Sequence, residues 1–400
     1  MSTRPALFLH SFSPTNLSDT LFASALQGLS QRALLLAGAN DVVCCDTVPD
    51  TDYLSYLAEF DIAPQHIVVP KEKVASSLAE RLLSDPVLLQ KLAKENRCIE
   101  PYMATAIEWQ VADKLGYAIN GTKPDYLAYL NQKTSLNTLL AESNLPYLPS
   151  ISCYSNNLKT TALHAYKRYG KLVIRASLGL GSKNVWLVHD ENDIKQIHAI
   201  IVAAGYPDDR RYVITPFIAN TLSFNAQFLL HPTTIEFLGI SQQHIDTNLH
   251  YTGNIKPASP IPLQEKIVIQ INPLAHYLQQ QGYLGYLGID LIVSEKEVFI
   301  IEINPRINTS TFTLVGVKRI MGSLDNTCFA SASLTIPQHL NTFHRFETCL
   351  QTFLLRPNSK QGILPIMSPI AHKNIDIIAI APSRIEIRAL LRHVEQMMLI

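Results

Sequence analysis

Two short apolar runs near residue 300 constrain the fold more than any other feature of this chain. Residues 289–293 and 298–303 are each apolar except for one acidic residue, and the polar link SEKE joins them. Runs of this length around a short polar connection are typical of a β-hairpin. The sequence therefore predicts two buried neighbouring strands, the second of which leads into a polar segment from Glu302 to Arg306.

Polar side chains occur in these strands at positions that bring them together. Because side chains alternate along a strand, Glu302 and Asn304 project from one face, and Arg306 joins them if the chain stays extended through Pro305. A connection of three or five residues would set Asp290 directly opposite Glu302, at the ~5 Å spacing of cross-strand neighbours. Two carboxylates at that distance repel each other unless a cation lies between them.

The chemical types of these side chains favour a divalent cation that carries a nucleotide. Two carboxylates and an amide oxygen are hard ligands that suit Mg²⁺, with Mn²⁺ as the alternative, and phosphates commonly complete the coordination. Arg306 is charged at physiological pH and is suited to hold a phosphate or a developing oxyanion. The simpler interpretation is a hairpin end with an exposed Asp and Glu before a proline turn. Four polar groups on one face of buried strands favour the cation site.

Composition limits the classes of partner. Lys plus Arg and Asp plus Glu both total 33, so the chain has no net charge that would attract nucleic acid or an anionic membrane. No apolar stretch reaches the length of a signal-peptide core or a membrane span, and the six cysteines show no metal-ligand spacing. We therefore expect a cytoplasmic protein that binds small molecules, with neither nucleic acid nor a membrane as a partner.

The pattern along the chain predicts an α/β region followed by an α+β region. A length of 400 residues, 47% of them hydrophobic, suggests two or three packed domains. Residues 33–130 alternate between short apolar runs and amphipathic stretches, which is typical of βα units in an open α/β domain. Single helices are predicted over residues 75–94 and 125–144. The strands that follow have short links, which indicate antiparallel pairing.

The segment IEINPR, with the Asp of GID twelve residues before its Glu, resembles the metal-binding strands of ATP-grasp enzymes. The resemblance implies that Asp290, Glu302 and Asn304 hold Mg²⁺ against the phosphates of ATP. It also implies that Arg306 contacts phosphate or the reacting carboxyl group, so that Arg306 and Glu302 are the residues on which catalysis depends.

Segments further upstream resemble the nucleotide-binding parts of the same family. KLVIRASLGLGSKNVWLV resembles the strand, small-residue loop and strand that meet the phosphates, and VITPFIA resembles the link whose backbone reads the adenine edge. Thr215 stands in this link where the family commonly has Glu. Without the resemblance, the glycines would indicate only a tight turn, and the helix lysine a solvated side chain. The implied nucleotide-binding residues are Lys133, Arg175, Gly179, Gly181, Ser182, Pro216 and Ile218.

Within the family, the chain looks most like peptide ligases of the pheganomycin type, which carry a pre-ATP-grasp domain. The segment DVVCCDTVPD, the motif YTGN and a short C-terminal α/β region carry this likeness. It implies a Rossmann-like pre-ATP-grasp domain at residues 1–120 and a two-subdomain ATP-grasp fold at residues 121–345. A small α/β appendage would follow at residues 346–400.

The implied reaction joins a carboxylate to an amine. The carboxylate attacks the γ-phosphate of ATP to give an acyl phosphate, and the amine then displaces phosphate. The expected substrates are small carboxylates and amines such as amino acids or peptides, and a homodimer is expected because relatives commonly dimerise. Two alternatives remain open: a carboxylase-type enzyme that activates bicarbonate, and a sensor that binds ATP without turnover.

Overall fold

Three β-sheets organise the chain. The structure, a computed structural model, describes residues 4–12, 28–62, 64, 66–71, 76–179, 184–256, 261–295, 297–325, 327–369 and 374–398. Within these residues the sheets have five, four and eight strands. The predicted combination of an N-terminal open α/β region with antiparallel α+β regions is confirmed. None of the helices in the described part of the chain is both long and apolar enough to span a bilayer.

The N-terminal sheet is parallel, with strand order β3-β2-β1-β4-β5. Its strands are β1 (Ala6–Leu9), β2 (Val42–Cys44), β3 (His66–Val68), β4 (Cys98–Pro101) and β5 (Ala118–Ile119). The helices around it are a 3₁₀ helix (Leu29–Leu35), α1 (Thr51–Ala58), α2 (Leu78–Leu83), α3 (Pro86–Leu92) and α4 (Ala106–Leu115). Apolar side chains on the strands, including Leu7, Leu9 and Ile99, are fully buried between these helices and the sheet.

The prediction of one helix over residues 75–94 is wrong, because the chain divides there into α2 and α3. Asp85 lies at the break, and its side chain accepts a hydrogen bond from the Leu88 N–H at 3.1 Å. Pro86 has no N–H to donate and disfavours helical geometry in the residue before it. A proline at the first position of a helix, after an Asp cap, therefore starts a new helix.

The prediction of one helix over residues 125–144 is also wrong. The segment forms α5 (Pro124–Leu130), a 3₁₀ turn (Lys133–Ser135) and α6 (Leu136–Glu142). The Ser135 hydroxyl donates to the carbonyls of Tyr129 and Gln132 at 2.9 and 2.7 Å, in competition with regular helix bonding. The interruption places Lys133 at the junction with the next sheet, where its N–H donates to the Ser177 carbonyl at 3.0 Å.

The four-stranded sheet is antiparallel, with order β6-β9-β7-β8. Its strands are β6 (Ile151–Tyr154), β7 (Leu172–Ala176), β8 (Val185–Val188) and β9 (Arg211–Pro216). Two helices, α7 (Leu158–Tyr169) and α8 (Glu191–Ala203), pack on one face, with a 3₁₀ turn (Ser155–Asn157) before the first. Ile174, Ile194 and Ile214 belong to the buried core that these elements share.

The eight-stranded sheet is antiparallel throughout, with order β14-β13-β10-β11-β12-β15-β17-β16. Its strands are β10 (Leu222–Leu230), β11 (Ile235–Ile245), β12 (Tyr251–Lys256), β13 (Gly285–Val293), β14 (Val298–Asn304), β15 (Cys328–Thr335), β16 (Gly362–Pro365) and β17 (Asn374–Ala381). Its helices are α9 (Ile261–Gln280), α10 (Thr309–Met321), α11 (Phe343–Leu350) and α12 (Arg384–Met397), with 3₁₀ turns at Gln338–Leu340 and Gln351–Phe353. The boundary predicted at residue 345 falls between strands of this one sheet. The domain division itself stays a prediction.

The N-terminal region and the C-terminal strands share one hydrophobic core. The buried phenols of Tyr53 and Tyr56 donate to the carbonyls of Pro365 and Leu355 at 3.2 and 3.0 Å. Arg319 on α10 donates to the Leu35 carbonyl at 2.7 Å. These contacts hold α1 and the 3₁₀ helix of the N-terminal region against the C-terminal part of the chain and α10.

Gly253 should be essential to the junction of β12 and β15. Its φ is +151°, and a Cβ there would lie 2.2 Å from the Ser331 carbonyl oxygen. We expect Gly253→Ala to lower the free energy of unfolding by about 1–3 kcal/mol, because the two strands must separate. The matched control is Gly316→Ala in α10, where the new Cβ would make an ordinary contact at 3.6 Å with Leu35.

The control should be neutral or stabilising, by up to about 1 kcal/mol, because alanine favours the helix. Urea denaturation of both variants measures the difference. Equal stability of the two variants would contradict this account of the strand junction.

Candidate functional site

A single cavity of about 890 Å³ contains the side chains on which the functional prediction depends. This volume is near the upper end of the roughly 300–1,000 Å³ typical of small-molecule sites. The four-stranded sheet, the large sheet and the N-terminal region all contribute to its walls. The predicted residues that line it are Lys133, Arg175, Gly179, Pro216, Ile218, Asp290, Glu302, Asn304 and Arg306. Gly181 and Ser182 lie outside the described residues.

The hairpin of β13 and β14 brings the two acidic side chains together. Asp290 and Glu302 are direct cross-strand partners. The connection, however, has four residues, whereas the sequence argument required three or five. A bulge next to Asp290 shifts the register by one residue and restores the pairing. Such bulges re-aim side chains near functional sites.

Three side-chain amides surround the Asp290 carboxylate. Asn225 and Gln243 donate to its Oδ1 at 2.6 and 3.1 Å, and Asn304 donates to its Oδ2 at 2.9 Å. Burial, and then the negative charge of Glu302, raise the pKa of Asp290 to about 6. The ionised form of Asp290 is therefore disfavoured, and a bound cation would stabilise it.

Glu302 is held in its charged form by neighbouring cations. Its Oε1 lies 3.0 Å from the Lys133 ammonium nitrogen. Burial would raise its pKa, but Lys133, Arg175 and Arg306 act in the opposite direction, and the net result is a pKa below the usual value. The pair of carboxylates thus consists of one ionised group and one that resists ionisation.

Two buried arginines complete the charged cluster. Arg175 on β7 donates to the Ile301 carbonyl at 2.8 Å, which ties the four-stranded sheet to the edge strand β14. Arg306 donates to Asn131 Oδ1 at 2.7 Å and to Asn304 Oδ1 at 2.6 Å. Burial lowers the pKa of Arg175, although Glu302 and Asp290 oppose that shift.

The orientation of Asn304 differs from the prediction. Its amide nitrogen, not its oxygen, faces Asp290, and its oxygen accepts from Arg306. This arrangement gives the carboxylate a donor and the guanidinium an acceptor. A half-turn of the amide plane would present the oxygen to a cation beside Asp290.

The donor set fits a divalent cation of the Mg²⁺ type. Within the described ranges, no group of three or more His, Cys, Asp or Glu side chains could hold a metal. At the hairpin, Asp290, Glu302 and the turned amide of Asn304 would supply three protein ligands, all oxygen. Mg²⁺ is commonly held by one or two carboxylates while phosphates and water complete its octahedron.

Apolar side chains line another part of the cavity and are suited to a base. This wall includes Leu148, Val173, Phe217, Ile292 and Ile301. Thr215, which replaces the Glu common in the family, also lines the cavity and is buried. The backbone of the predicted adenine link, at Pro216 and Ile218, borders the same space.

The sequence argument missed a row of polar side chains on β10. Asn225, which donates to Asp290, is followed two residues later by Gln227, whose amide donates to Asn308 Oδ1 at 3.0 Å. Gly288 makes room for this network, because a Cβ there would lie 2.2 Å from the Asn308 amide nitrogen. The strict alternation of polar and apolar residues in SFNAQF was the available signal.

The YTGN motif lines the cavity with Tyr251 and braces the N-terminus of α10 with Asn254. Asn254, which is fully buried, donates to the Ser310 hydroxyl at 2.8 Å. Asn308 caps the helix by accepting from the Thr311 N–H at 3.2 Å. As a result, Asn308, Thr309 and Ser310 are held at the cavity wall.

Comparison with known proteins agrees with this geometry. Residues 131–310 match the ATP-grasp domain, and residues 30–117 match the pre-ATP-grasp domain. This chain therefore contains an ATP-grasp domain preceded by a pre-ATP-grasp domain. The resemblance inferred from IEINPR is therefore confirmed at the level of the family. The closer likeness to pheganomycin-type peptide ligases stays a prediction.

Curated relatives match parts of this ATP-grasp protein. The C-terminal section of the carbamoyl phosphate synthase large chain of Aquifex aeolicus is 25% identical over 196 residues, which cover 48% of this chain and 35% of the relative. The large chain from Pseudomonas aeruginosa is 23% identical over 243 residues, which cover 57% of this chain and 22% of the relative. The chain thus spans about a third or less of the length of these relatives.

Solved structures resemble the ATP-grasp protein over nearly its whole length. An ADP complex of N5-carboxyaminoimidazole ribonucleotide synthetase has a TM-score of 0.63 at 11% identity, and covers 98% of this chain and 96% of its own. The biotin carboxylase β-γ-ATP complex from Campylobacter jejuni has a TM-score of 0.64 at 12% identity, with 98% and 90% covered. At such identities, the likeness establishes the fold alone.

The metal-free protein should be stabilised when Asp290 is neutralised. Because burial and Glu302 raise the pKa of Asp290 from its ordinary ~3.9 to about 6, its ionisation costs stability as the pH rises through this range. Without Mg²⁺ or nucleotide, Asp290→Asn should unfold at a temperature equal to or above wild type at pH 7.5. Its advantage should shrink at pH 5, where the wild-type carboxyl is largely protonated.

Thermal unfolding of Asp290→Asn and the wild type at the two pH values tests the direction of this difference in stability. A deficit of the same size at pH 5 and pH 7.5 would contradict the electrostatic account of the carboxylate pair.

Proposed function

We propose that this protein is an ATP-dependent ligase that joins a carboxylate to an amine through an acyl phosphate and releases ADP and phosphate. The observation that carries the proposal is the paired Asp290 and Glu302, surrounded by three cations in one large cavity. Groups of this kind neutralise and orient phosphates, and phosphoryl transfer depends mainly on that.

Each charged residue has a role in this proposal. Asp290, Glu302 and Asn304 hold Mg²⁺, which supplies charge neutralisation at the transferring phosphoryl group when it is bound. Lys133 leaves its ion pair with Glu302 and binds phosphate oxygens. Arg175 binds the phosphates from the side of the four-stranded sheet.

Arg306 orients the substrate carboxylate. It is 7% exposed, and Asn131 and Asn304 fix its guanidinium group at two nitrogens. A planar cation held in this way pairs well with a carboxylate or a phosphate. No nucleophilic side chain is needed, because the carboxylate of the substrate itself attacks the γ-phosphate.

The carboxylase-type alternative has one specific support. Two of the similar folds are a biotin carboxylase and the biotin carboxylase domain of a 2-oxoglutarate carboxylase, the latter solved as a dimer with MgADP and bicarbonate. We prefer amine ligation, with amino acids or peptides as substrates, because of the likeness of DVVCCDTVPD and YTGN to the peptide ligases. Homodimerisation is part of the proposal, and light scattering tests it.

The decisive reaction assay varies the second substrate. ADP release that requires both a carboxylate and an amine, with a condensed product detected by mass spectrometry, is the expected result. ADP release with bicarbonate alone would favour the carboxylase. Nucleotide binding without turnover on any substrate pair would favour the sensor.

Replacement of Glu302 should abolish turnover. Glu302→Gln removes the charge that holds the cation, and we expect ADP release to fall roughly 100-fold or more. The control is Glu297→Gln, which alters an exposed carboxylate in the connection of the same hairpin.

The control should keep wild-type turnover. Steady-state ADP release by both variants measures the effect. Near-normal activity of Glu302→Gln would contradict the assignment of the metal site.

A further inference from the structure

The end of the cavity formed by the N-terminal region has features that the phosphate chemistry does not use. Phe12, Leu29 and Tyr102 line this end, together with one charged residue, Arg32. The rings of Phe12 and Tyr102 lie 4.4 Å apart. A small apolar compartment with a single guanidinium group is therefore open to the same space as the metal hairpin.

Arg32 is held in place but its hydrogen-bonding capacity is not exhausted. It lies on the 3₁₀ helix Leu29–Leu35, and its Nη2 lies 2.5 Å from Asp376 Oδ2 on β17. The closest approach of the two side chains joins one guanidinium nitrogen to one carboxylate oxygen. Within the described part of the chain, Arg32 Nε is buried without a hydrogen-bond partner, and the guanidinium carbon lies 6.0 Å from the centre of the Phe312 ring. The side chain is 15% exposed, so a ligand can reach a cation that is mostly shielded from water.

Polar side chains also line the cavity that Arg32 shares with the phosphate site. Thr309 and Ser310 line the cavity directly after the Arg306 segment, and Tyr251 lines it as well. Burial raises the pKa of the Tyr251 phenol, and the charges that act on this phenol include both Asp290 and Arg32. The Tyr251 phenol thus lies within electrostatic range of both Asp290 and Arg32.

In the proposed ligation, the amine substrate must be oriented as well as the carboxylate substrate. An amino acid that acts as the amine carries a carboxylate of its own. That carboxylate must be kept away from Arg306 and the cation, or it would compete for the γ-phosphate. A second guanidinium group in the same cavity, beside an apolar wall, would hold the carboxylate there and turn the amine toward the acyl phosphate.

We propose that Arg32 binds the free carboxylate of the amine substrate, which is an α-amino acid, or a peptide ending in one, with an apolar side chain seated against Phe12, Leu29 and Tyr102. This inference rests on the proposed ligase function. In it, Asp376 is a positioning residue that fixes the guanidinium group, and Arg32 is a substrate-binding residue.

Binding of matched acids and amides tests the proposal without turnover. The probes are leucine, phenylalanine and tyrosine, each as the free amino acid and as its carboxamide, titrated by calorimetry into the full chain with and without MgADP. At least one free acid should bind more tightly than its amide, by roughly 10- to 100-fold, because a charge-assisted hydrogen bond is lost in the amide. If no acid binds more tightly than its amide, the proposal is wrong.

Three variants separate ligand binding from structural support. Arg32→Gln should remove the preference for the acid, and Arg32→Lys should retain part of it. Asp376→Asn keeps the guanidinium group and should hold acid affinity within a few-fold of wild type. The matched control is Arg356→Gln, since Arg356 is also paired with carboxylates, Glu59 and Glu347, but does not line the cavity.

The pattern across the variants decides the role of Arg32. Acid binding that survives Arg32→Gln would overturn the proposal. Thermal unfolding of each variant shows whether it folds. If Arg32→Gln does not fold, the acid and amide affinities of Arg32→Lys are compared with those of the wild type instead.

Failure of this inference can be told apart from failure of the ligase function. Acid binding through Arg32 without ADP release on any substrate pair would refute the ligase and leave the carboxylate site in place. ADP release with amides as effective as free amino acids, in KM and kcat, would refute the role of Arg32 and leave the ligase in place.

Discussion

Repulsion between two carboxylates on adjacent strands is the constraint on which the rest of this site depends. Asp290 and Glu302 face each other on buried strands, at a spacing where like charges cannot both be left uncompensated. The protein stabilises the negative charges of the two carboxylates unequally. Glu302 receives cations, whereas Asp290 receives amide donors, and only Glu302 has a pKa below the usual value. A cation held by the pair would complete the compensation, which is the reason for proposing that the hairpin binds a metal that carries phosphates.

The compensating groups come from distant parts of the chain, which explains how the fold serves the site. Lys133 enters from the break between α5 and α6, and Arg175 from the four-stranded sheet. Asn131, two residues before Lys133, accepts a hydrogen bond from Arg306. The same few contacts therefore join the small sheet to the large one and organise the charges, so that the opening between the sheets is defined by the residues that would bind the nucleotide.

Sequence reasoning found the parts of the site that are local in the chain. Alternation along a strand predicted that Glu302 and Asn304 share a face, and the hairpin pattern predicted Asp290 as their neighbour. The bulge was not predictable, because a register shift within a strand leaves no trace in the apolar pattern. The side of Asn304 that faces Asp290 depends on Arg306 and on hydrogen bonds that only the folded chain reveals. The pairing of residues 374–381 with the ATP-grasp sheet likewise depends on long-range contacts, as does the ion pair of Arg32.

The most direct measurement is anomalous diffraction from crystals grown with Mn²⁺ and ADP. Mn²⁺ substitutes for Mg²⁺ in oxygen-ligand sites and can be located by its own scattering. The account predicts a Mn²⁺ peak at coordination distance, roughly 2.0–2.3 Å, from oxygens of both Asp290 and Glu302 and from an ADP phosphate, with Lys133 no longer paired with Glu302. A nucleotide bound in the cavity with no metal at this hairpin, or a metal bound elsewhere, would contradict it.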